Sequence, residues 1–419
     1  MQNVAFLYLC RQPNCNAKMK NRKILLICAS LALFCLATGS TAASGPNAAP
    51  RKSSLGKIRI EWEDAKLLAP GGYARVHRLN DGRYMAVYSR GGNGCFKICA
   101  NGWSGWTPQR VAIHHDSYRA PAKVVVSNAE FAQLSASNPH HPGRIIYAVN
   151  IRPAENRSSQ TPFTIAISTS DDAGETWSGV RDIYKSKVWD KDVLRGCYEP
   201  CVLELPDGTV QVYFADETPY YERRLPYQNI SVVESKDGGD TWGPARIVCY
   251  NEKFRDGMPV AMVYGDWIYV AIEANGQNIK FHPQIVCTKI ADNWKTPVYG
   301  ASANRFDPFR TSMESAYIYA GAPYLIRTDN YFVLCYQSSE GALEPTTKNS
   351  VMELAVCRID EMKGHEFLTM RERIRPFDID QTRDNGLWNS LCDLGNDTIL
   401  AVTQLSGNIY IRKGKIVTE

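Results

Sequence analysis

The octapeptide Ser-x-Asp-x-Gly-x-Thr-Trp occurs twice in this chain. One copy is Ser170-Asp171-Asp172-Ala173-Gly174-Glu175-Thr176-Trp177 and the other is Ser235-Lys236-Asp237-Gly238-Gly239-Asp240-Thr241-Trp242. Each fixed position has a physical job. The Asp side chain accepts backbone N–H groups inside a tight turn, and the Gly supplies positive φ. The Trp offers a large apolar surface that locks the turn onto its neighbours. The copies start 65 residues apart (235 − 170). A turn this specific, repeated at that distance, asks whether the whole chain repeats at the same period.

It does. Helical periodicity is scarce, and short β-rich runs separated by Gly, Asp and Asn turns dominate. One hairpin pattern recurs, first as Val76-His77-Arg78-Leu79, the turn Asn80-Asp81-Gly82, then Arg83-Tyr84-Met85-Ala86-Val87-Tyr88. It returns around His141–Gly143, Pro206-Asp207-Gly208, Gly265-Asp266, Asp329-Asn330 and Asn396-Asp397. Turn centres at 80, 141, 206, 265, 329 and 396 give spacings of 61, 65, 59, 64 and 67. Six near-equal units predict an all-β fold, a six-bladed β-propeller with four antiparallel strands per blade, over residues 57–419. In the third unit, strand A is Cys201–Leu205, strand B Thr209–Ala215, strand C Ile230–Glu234 and strand D Ala245–Val248. The strand-like Lys57–Trp62 is expected to complete the last blade beside Asn408–Ile411, which protects the edges that a half-open ring would expose.

The strand order also predicts which end carries chemistry. The octapeptides connect C to D and fall on the side of the A–B turns. The opposite mouth is formed by the starts of the A strands and the ends of the B strands. It gathers Tyr73-Ala74-Arg75, Asn128-Ala129-Glu130-Phe131, Tyr198-Glu199-Pro200, Asp216-Glu217, Arg255-Asp256-Gly257-Met258-Pro259, Glu273-Ala274-Asn275, Tyr319-Ala320-Gly321-Ala322-Pro323 and Leu387-Trp388-Asn389-Ser390. Carboxylates, an arginine and aromatics converging on one pore suit a polyhydroxylated sugar. Most carboxylates at strand ends are solvated rim charges. Glu199 and Glu273 differ, because each sits among apolar neighbours where burial raises a carboxyl pKa.

Lys20-Asn21-Arg22-Lys23, the apolar run Ile24–Leu36 and the small residues Thr38–Ser44 read as a secretory signal peptide within residues 1–43, followed by a linker over 44–56. Met19 is a candidate start. The apolar run is shorter than the ~20 residues a membrane span needs, so no stable span is expected in the mature chain. The expected location is secreted or periplasmic. Four of the 13 cysteines lie in this leader, which leaves nine, an odd number. Cys95/Cys99 and Cys197/Cys201 share a C-x3-C spacing but lack histidines at finger-like distances, so no metal site is expected. The formal net charge is +5, with no Lys/Arg block outside the leader, which gives no support for nucleic-acid binding.

The octapeptide is identified as the Asp-box turn, and with six repeats the chain resembles the sialidase-like β-propellers. Arg75 resembles the first arginine of sialidases, and 198–208 (Tyr-Glu-Pro-Cys-Val-Leu-Glu-Leu-Pro-Asp-Gly) resembles the stretch with the glutamate that partners their nucleophilic tyrosine. Sialidases hold a substrate carboxylate with three arginines. The end of strand B, Tyr213–Glu217, has no arginine, and Ser89–Gly102 lacks the family's acid aspartate. The chain is also similar to the exo-α-L-arabinanase family in Tyr198-Glu199-Pro200, in Asp256-Gly257-Met258-Pro259-Val260 and in Tyr269-Val270-Ala271-Ile272-Glu273. That resemblance implies a retaining exo-glycosidase without cofactors, acting on a neutral furanose that needs no arginine triad. Its two glutamates match Glu199 and Glu273. Glu199 would attack the anomeric carbon and Glu273 would protonate the leaving oxygen, an order open to reversal. Arg75, Glu130 and Asp256 would hold sugar hydroxyls, and Tyr319 or Trp388 would stack on the ring. A monomer acting on plant-type polysaccharide or oligosaccharide is expected. An exo-α-sialidase and a non-catalytic glycan-binding propeller remain the alternatives.

Overall fold

The computed structural model describes residues 58–155, 161–187, 195–275, 280–308, 318–342, 349–361 and 374–418. The leader and linker lie outside the described residues. The described chain forms six antiparallel sheets in sequence order, the blades of a propeller. Blade 1 runs Gly72–Arg78, Tyr84–Arg90, Asn93–Cys99 and Arg110–Ile113 from the inside outward. Blade 2 is Val124–Gln133, Ile145–Pro153, Thr164–Ser170 and Arg181–Lys185. Blade 3 is Cys197–Glu204, Val210–Asp216, Asn229–Ser235 and Arg246–Cys249. Blade 4 is Asp256–Tyr264, Trp267–Ala274, His282–Lys289 and Arg305–Phe306. Blade 5 has the strands Ala320–Arg327, Tyr331–Ser338 and Val351–Arg358, with a bridge from Leu354 to Ile374 outside them. Helical structure among the described residues is limited to short 3-10 turns such as His115–Ser117, and no helix there is long and apolar enough to cross a membrane.

Blade 6 joins both ends of the propeller. Leu387–Gly395, Thr398–Leu405 and Asn408–Thr418 form its inner strands. Ile58–Trp62 and Lys66–Pro70 both pair with Asn408–Thr418 and supply the outer edge. The ring closes through the N-terminal strand, which covers the edge that would otherwise be left open.

The core lies between the blades, because each sheet is apolar on both faces. Six clusters of buried side chains fill the six blade interfaces. Between blades 2 and 3, for example, Ile146, Ile165 and Ile167 meet Val210, Val212 and Phe214, all fully buried. Each such side chain contributes roughly 1.5–3 kcal/mol by leaving water. All nine cysteines of the propeller are buried and free, so they act as small apolar packing groups.

The two octapeptide turns connect strand C to strand D in blades 2 and 3, and they repeat one hydrogen-bond pattern. Asp172 Oδ1 accepts the Thr176 N–H at 2.9 Å, and Asp237 Oδ1 accepts the Thr241 N–H at 2.9 Å. The Thr176 hydroxyl, then the Thr176 N–H, hold the Asp172 carboxyl down at about 2. Gly174 and Gly239 take φ of 92° and 93°. Trp177 packs edge-on against Phe96 of blade 1 and Tyr147 of blade 2, each at 5.5 Å. Arg144, just after the A–B turn of blade 2, binds Asp171 and Asp240 at 2.7 and 2.6 Å and ties the two turns together. The octapeptides therefore lie at the A–B turn end, opposite the mouth.

Candidate active site

Every innermost strand is broken at the same place. The pairing of strand A with strand B shifts between Gly72 and Arg75, Ser127 and Glu130, Tyr198 and Cys201, Gly257 and Val260, Gly321 and Tyr324, and Leu387 and Ser390. Inside each shift one non-glycine residue takes a left-handed φ: Tyr73 (55°), Asn128 (51°), Glu199 (60°), Met258 (48°), Ala322 (49°) and Trp388 (54°). Each costs about 1–2 kcal/mol for an L-residue. Six repeats of that cost mark a built feature, and a β-bulge re-aims side chains. Four of the six, Tyr73, Met258, Ala322 and Trp388, pack together as one cluster. Tyr73 and Trp388 stand 6.1 Å apart, centroid to centroid.

The bulges also assemble the glutamate pair. Glu199 is the left-handed residue of blade 3, and its carboxylate accepts the backbone N–H of Met258, the left-handed residue of blade 4. Glu273 comes from the end of strand B of blade 4, and its Oε2 accepts the N–H of Ala322, the left-handed residue of blade 5, at 2.8 Å. Glu273 pairs across the sheet with Gly257, next to Met258, and its charge acts on Glu199. Both residues are half-buried. Burial pushes the Glu199 carboxyl up to about 8, and the charge on Glu273 adds to the rise. Burial also raises Glu273, against which its Ala322 N–H bond and Arg255 work. Both carboxyls are thus raised by burial, and Glu199 is raised further by the charge on Glu273.

Four residues from outside the expected set complete this surface: Arg255, Glu217, Gln228 and Gln337. Arg255 lowers both glutamates electrostatically. It is held by Glu217 Oε1 at 2.6 Å and Gln228 Oε1 at 2.5 Å. Glu217 Oε2 in turn accepts the Tyr198 hydroxyl and the Gly196 N–H, each at 2.9 Å. Gln337 donates to the Tyr319 hydroxyl at 2.7 Å and accepts the Trp388 N–H at 3.0 Å. Tyr319 is buried, and its phenol is pushed well up, first by burial and then by Glu273. The structure thus brings Glu199, Glu273, Tyr319 and Trp388 to one mouth.

It places the other three expected residues elsewhere. Asp256 is fully buried, and Arg305 grips both its oxygens at 3.1 and 2.5 Å. It is therefore a structural ion pair inside blade 4 and not a ligand for a sugar hydroxyl. Glu130 is 2% exposed; it accepts from the Phe131 N–H at 2.8 Å, and its Oε1 lies 2.8 Å from His77 Nε2. Arg75 lies beneath the mouth, bonded to backbone carbonyls. Glu130 and His77 line a cavity of about 560 Å³ that reaches Arg327, Asp329 and Asp393 around the A–B turns, away from the glutamates. Two arginines act on Glu199, Arg75 and Arg255, and they are held by separate partners.

No protein-family model and no curated protein matches this sequence. Solved structures do match the fold. The GH93 α-L-arabinofuranosidase of Fusarium graminearum, solved with arabinobiose, gives a TM-score of 0.60 at 13% identity, covering 85% of this chain and 98% of its own. The α-L-arabinanase of Penicillium chrysogenum, also complexed with arabinobiose, gives 0.58 at 15% identity over the same shares, 85% and 98%. The NanB sialidase from Streptococcus pneumoniae gives 0.55 at 10% identity, over 86% of this chain and 70% of its own. At these identities the likeness is one of fold: the chain is a sialidase-like six-bladed β-propeller of the kind these glycoside hydrolases share.

Proposed function

We propose that this chain is a secreted, retaining exo-glycosidase that cleaves α-L-arabinofuranosyl chains. The observation that carries the reading is the pair Glu199 and Glu273, set at neighbouring bulges where one accepts the Met258 N–H and the other the Ala322 N–H, with Glu199 raised by burial and by the charge on Glu273. Retaining hydrolysis uses two such carboxyl groups close together, one as acid and one as nucleophile. Glu199, pushed up to about 8 by burial and by the charge on Glu273, suits the donor, which leaves Glu273 as the attacking group, the reverse of the order expected from the resemblance. Glu273 forms a bond to the anomeric carbon while Glu199 passes its proton to the leaving oxygen, and the glycosidic C–O bond breaks. Glu199, now ionised, takes a proton from water, which displaces Glu273 and releases the sugar. Tyr73 and Trp388 supply aromatic faces, and Arg255 a cationic edge. The fold shared with two proteins solved with arabinobiose supports the furanose, and the separated arginines argue against a sialic acid carboxylate.

The test is a reducing-sugar screen of the secreted protein on linear arabinan, pectic side chains and sialylated glycans, with the first-formed anomer read by NMR. Release from arabinan with retained configuration supports the proposal. Turnover of sialylated glycans alone, an inverted product, or binding without turnover would each refute it. Azide added to Glu199→Ala and Glu273→Ala, with an activated aryl arabinoside, separates the roles. A retained glycosyl azide from the Glu199 variant and an inverted one from the Glu273 variant fit Glu199 as the acid and Glu273 as the nucleophile.

A further inference from the structure

Arg75 is 3% exposed, yet it touches the bulges of two blades. Its Nη1 donates to the carbonyls of Ala74 at 3.0 Å, Trp388 at 3.1 Å and Asn389 at 3.4 Å. Its guanidinium carbon stands 3.9 Å from the ring centroid of Tyr73 and 5.0 Å from that of Tyr324. The carboxylate partner is oddly remote: Nε lies 3.8 Å from Glu130 Oε2, with no fork. Glu130 spends its other oxygen on His77 and on the Phe131 N–H. A guanidinium is always charged. Held by carbonyl dipoles and two aromatic faces instead of a bidentate carboxylate, this one sits directly against Tyr73, a member of the bulge cluster at the mouth, and it lowers the Glu199 carboxyl.

We infer that Arg75 is a positioning residue for the glutamate pair: it clamps the Tyr73 and Trp388 bulges from below and, with Glu130 as its loose counter-charge, sets the field at Glu199. The inference rests on the reading of Glu199 and Glu273 as the reacting pair. The charged and titratable groups acting on Glu199 are Glu273 and Arg255 from blade 4 and Arg75 from blade 1; Tyr73 and Tyr319 also interact with it. Those acting on Arg75 are Tyr73, Glu130, Tyr324 and Cys335, with His77 behind Glu130. Glu273 raises Glu199, whereas Arg255 and Arg75 lower it. The signs for substitutions follow. Removing the Arg75 charge raises the Glu199 midpoint. Neutralising Glu130 leaves the Arg75 charge less offset and lowers it.

Two readouts on the same proteins test this. The first is a carbon-13 NMR titration of the Glu199 carboxyl, its resonance identified by loss in Glu199→Gln. The second is the pH profile of kcat/KM. Arg75→Met is expected to raise the midpoint by about one pH unit, and Glu130→Gln to lower it by about half a unit. Arg75→Lys keeps the charge but cannot bond three carbonyls and stack on Tyr73 at once. It is expected to restore the midpoint while kcat stays low. Midpoints that do not move, or that move in the same direction in both variants, overturn the inference, since a merely structural role gives no opposed signs. If Arg75→Met does not fold, the near-isosteric Glu130→Gln decides alone: a downward shift upholds the inference and no shift ends it. If no glycan is hydrolysed, the proposed function falls while the NMR titration still judges Arg75. If turnover requires both glutamates and the midpoints stay fixed, only the role of Arg75 falls.

Discussion

A Cβ on Gly321 would stand 2.5 Å from Glu273 Oε2 and would also meet the Tyr319 hydroxyl. Gly321 is not among the residues of positive φ, so alanine strains nothing in the backbone there. The whole effect of Gly321→Ala must come from pushing Glu273 and Tyr319 aside. Displacing a reacting group by about 1 Å costs on the order of 100-fold in rate. Gly321→Ala is therefore expected to lose about that factor in kcat/KM on arabinan, with only a small change in thermal midpoint. An unchanged kcat/KM would remove Glu273 from the chemistry.

The raised Glu199 carboxyl has two pH consequences. In the proposed role of proton donor, Glu199 loses its proton as pH rises through about 8, and kcat/KM on the free enzyme is expected to decline there. The acid limb of the profile reports protonation of Glu273. For stability, the folded carboxyl is raised above the 4.5 of an ordinary glutamate. The folded chain thus holds a proton between about 4.5 and 8 that the unfolded chain has released, and stability falls as pH rises across that window. Glu199→Gln removes this penalty. Calorimetry at constant ionic strength is expected to show the variant melting several degrees above the wild type at pH 8.5 and close to it at pH 4.5, about 2–4 °C per kcal/mol. Equal differences at both pH values would mean that Glu199 is not raised.

Asp256 and Arg305 make a prediction of the opposite kind. Asp256→Ala leaves Arg305 buried without its carboxylate, a loss of about 3–5 kcal/mol in unfolding free energy. The folded fraction is expected to keep its KM on arabinan within about threefold, since a threefold change corresponds to less than 1 kcal/mol. A large rise in KM with unchanged stability would restore Asp256 to sugar binding.

The contrast between Asp256 and Glu273 shows what was legible in the sequence. Turn chemistry was: all six A–B hairpins turn at the Gly, Asp, Asn and Pro positions marked in the sequence, and the strand order of blade 3 holds to within a few residues. The bulges were not. A left-handed φ at tyrosine, methionine or tryptophan has no compositional signature, because such residues seldom adopt it. The only hint is the small residue or proline after five of the six: Ala74, Ala129, Pro200, Pro259 and Pro323. A bulge breaks the alternation of faces, so a carboxylate near a strand start cannot be assigned to the pore by parity. Asp256 points to Arg305, 49 residues away on the outer strand of its blade, a partner that no spacing rule reveals. Arg75 was expected at the mouth for the same reason and lies beneath it. Arg255 and Gln337 went unassigned because their roles depend on contacts between blades.

The most direct test of the glutamate pair compares initial rates on linear arabinan for the wild type, Glu199→Gln and Glu273→Gln, with each variant shown to be folded by its melting curve. Glutamine keeps the shape and the backbone N–H partner of each site and removes only the titrating group. Release of sugar by the wild type and losses of about 10³-fold or more in both variants are predicted. A folded variant that turns over at the wild-type rate would contradict the role assigned to that glutamate.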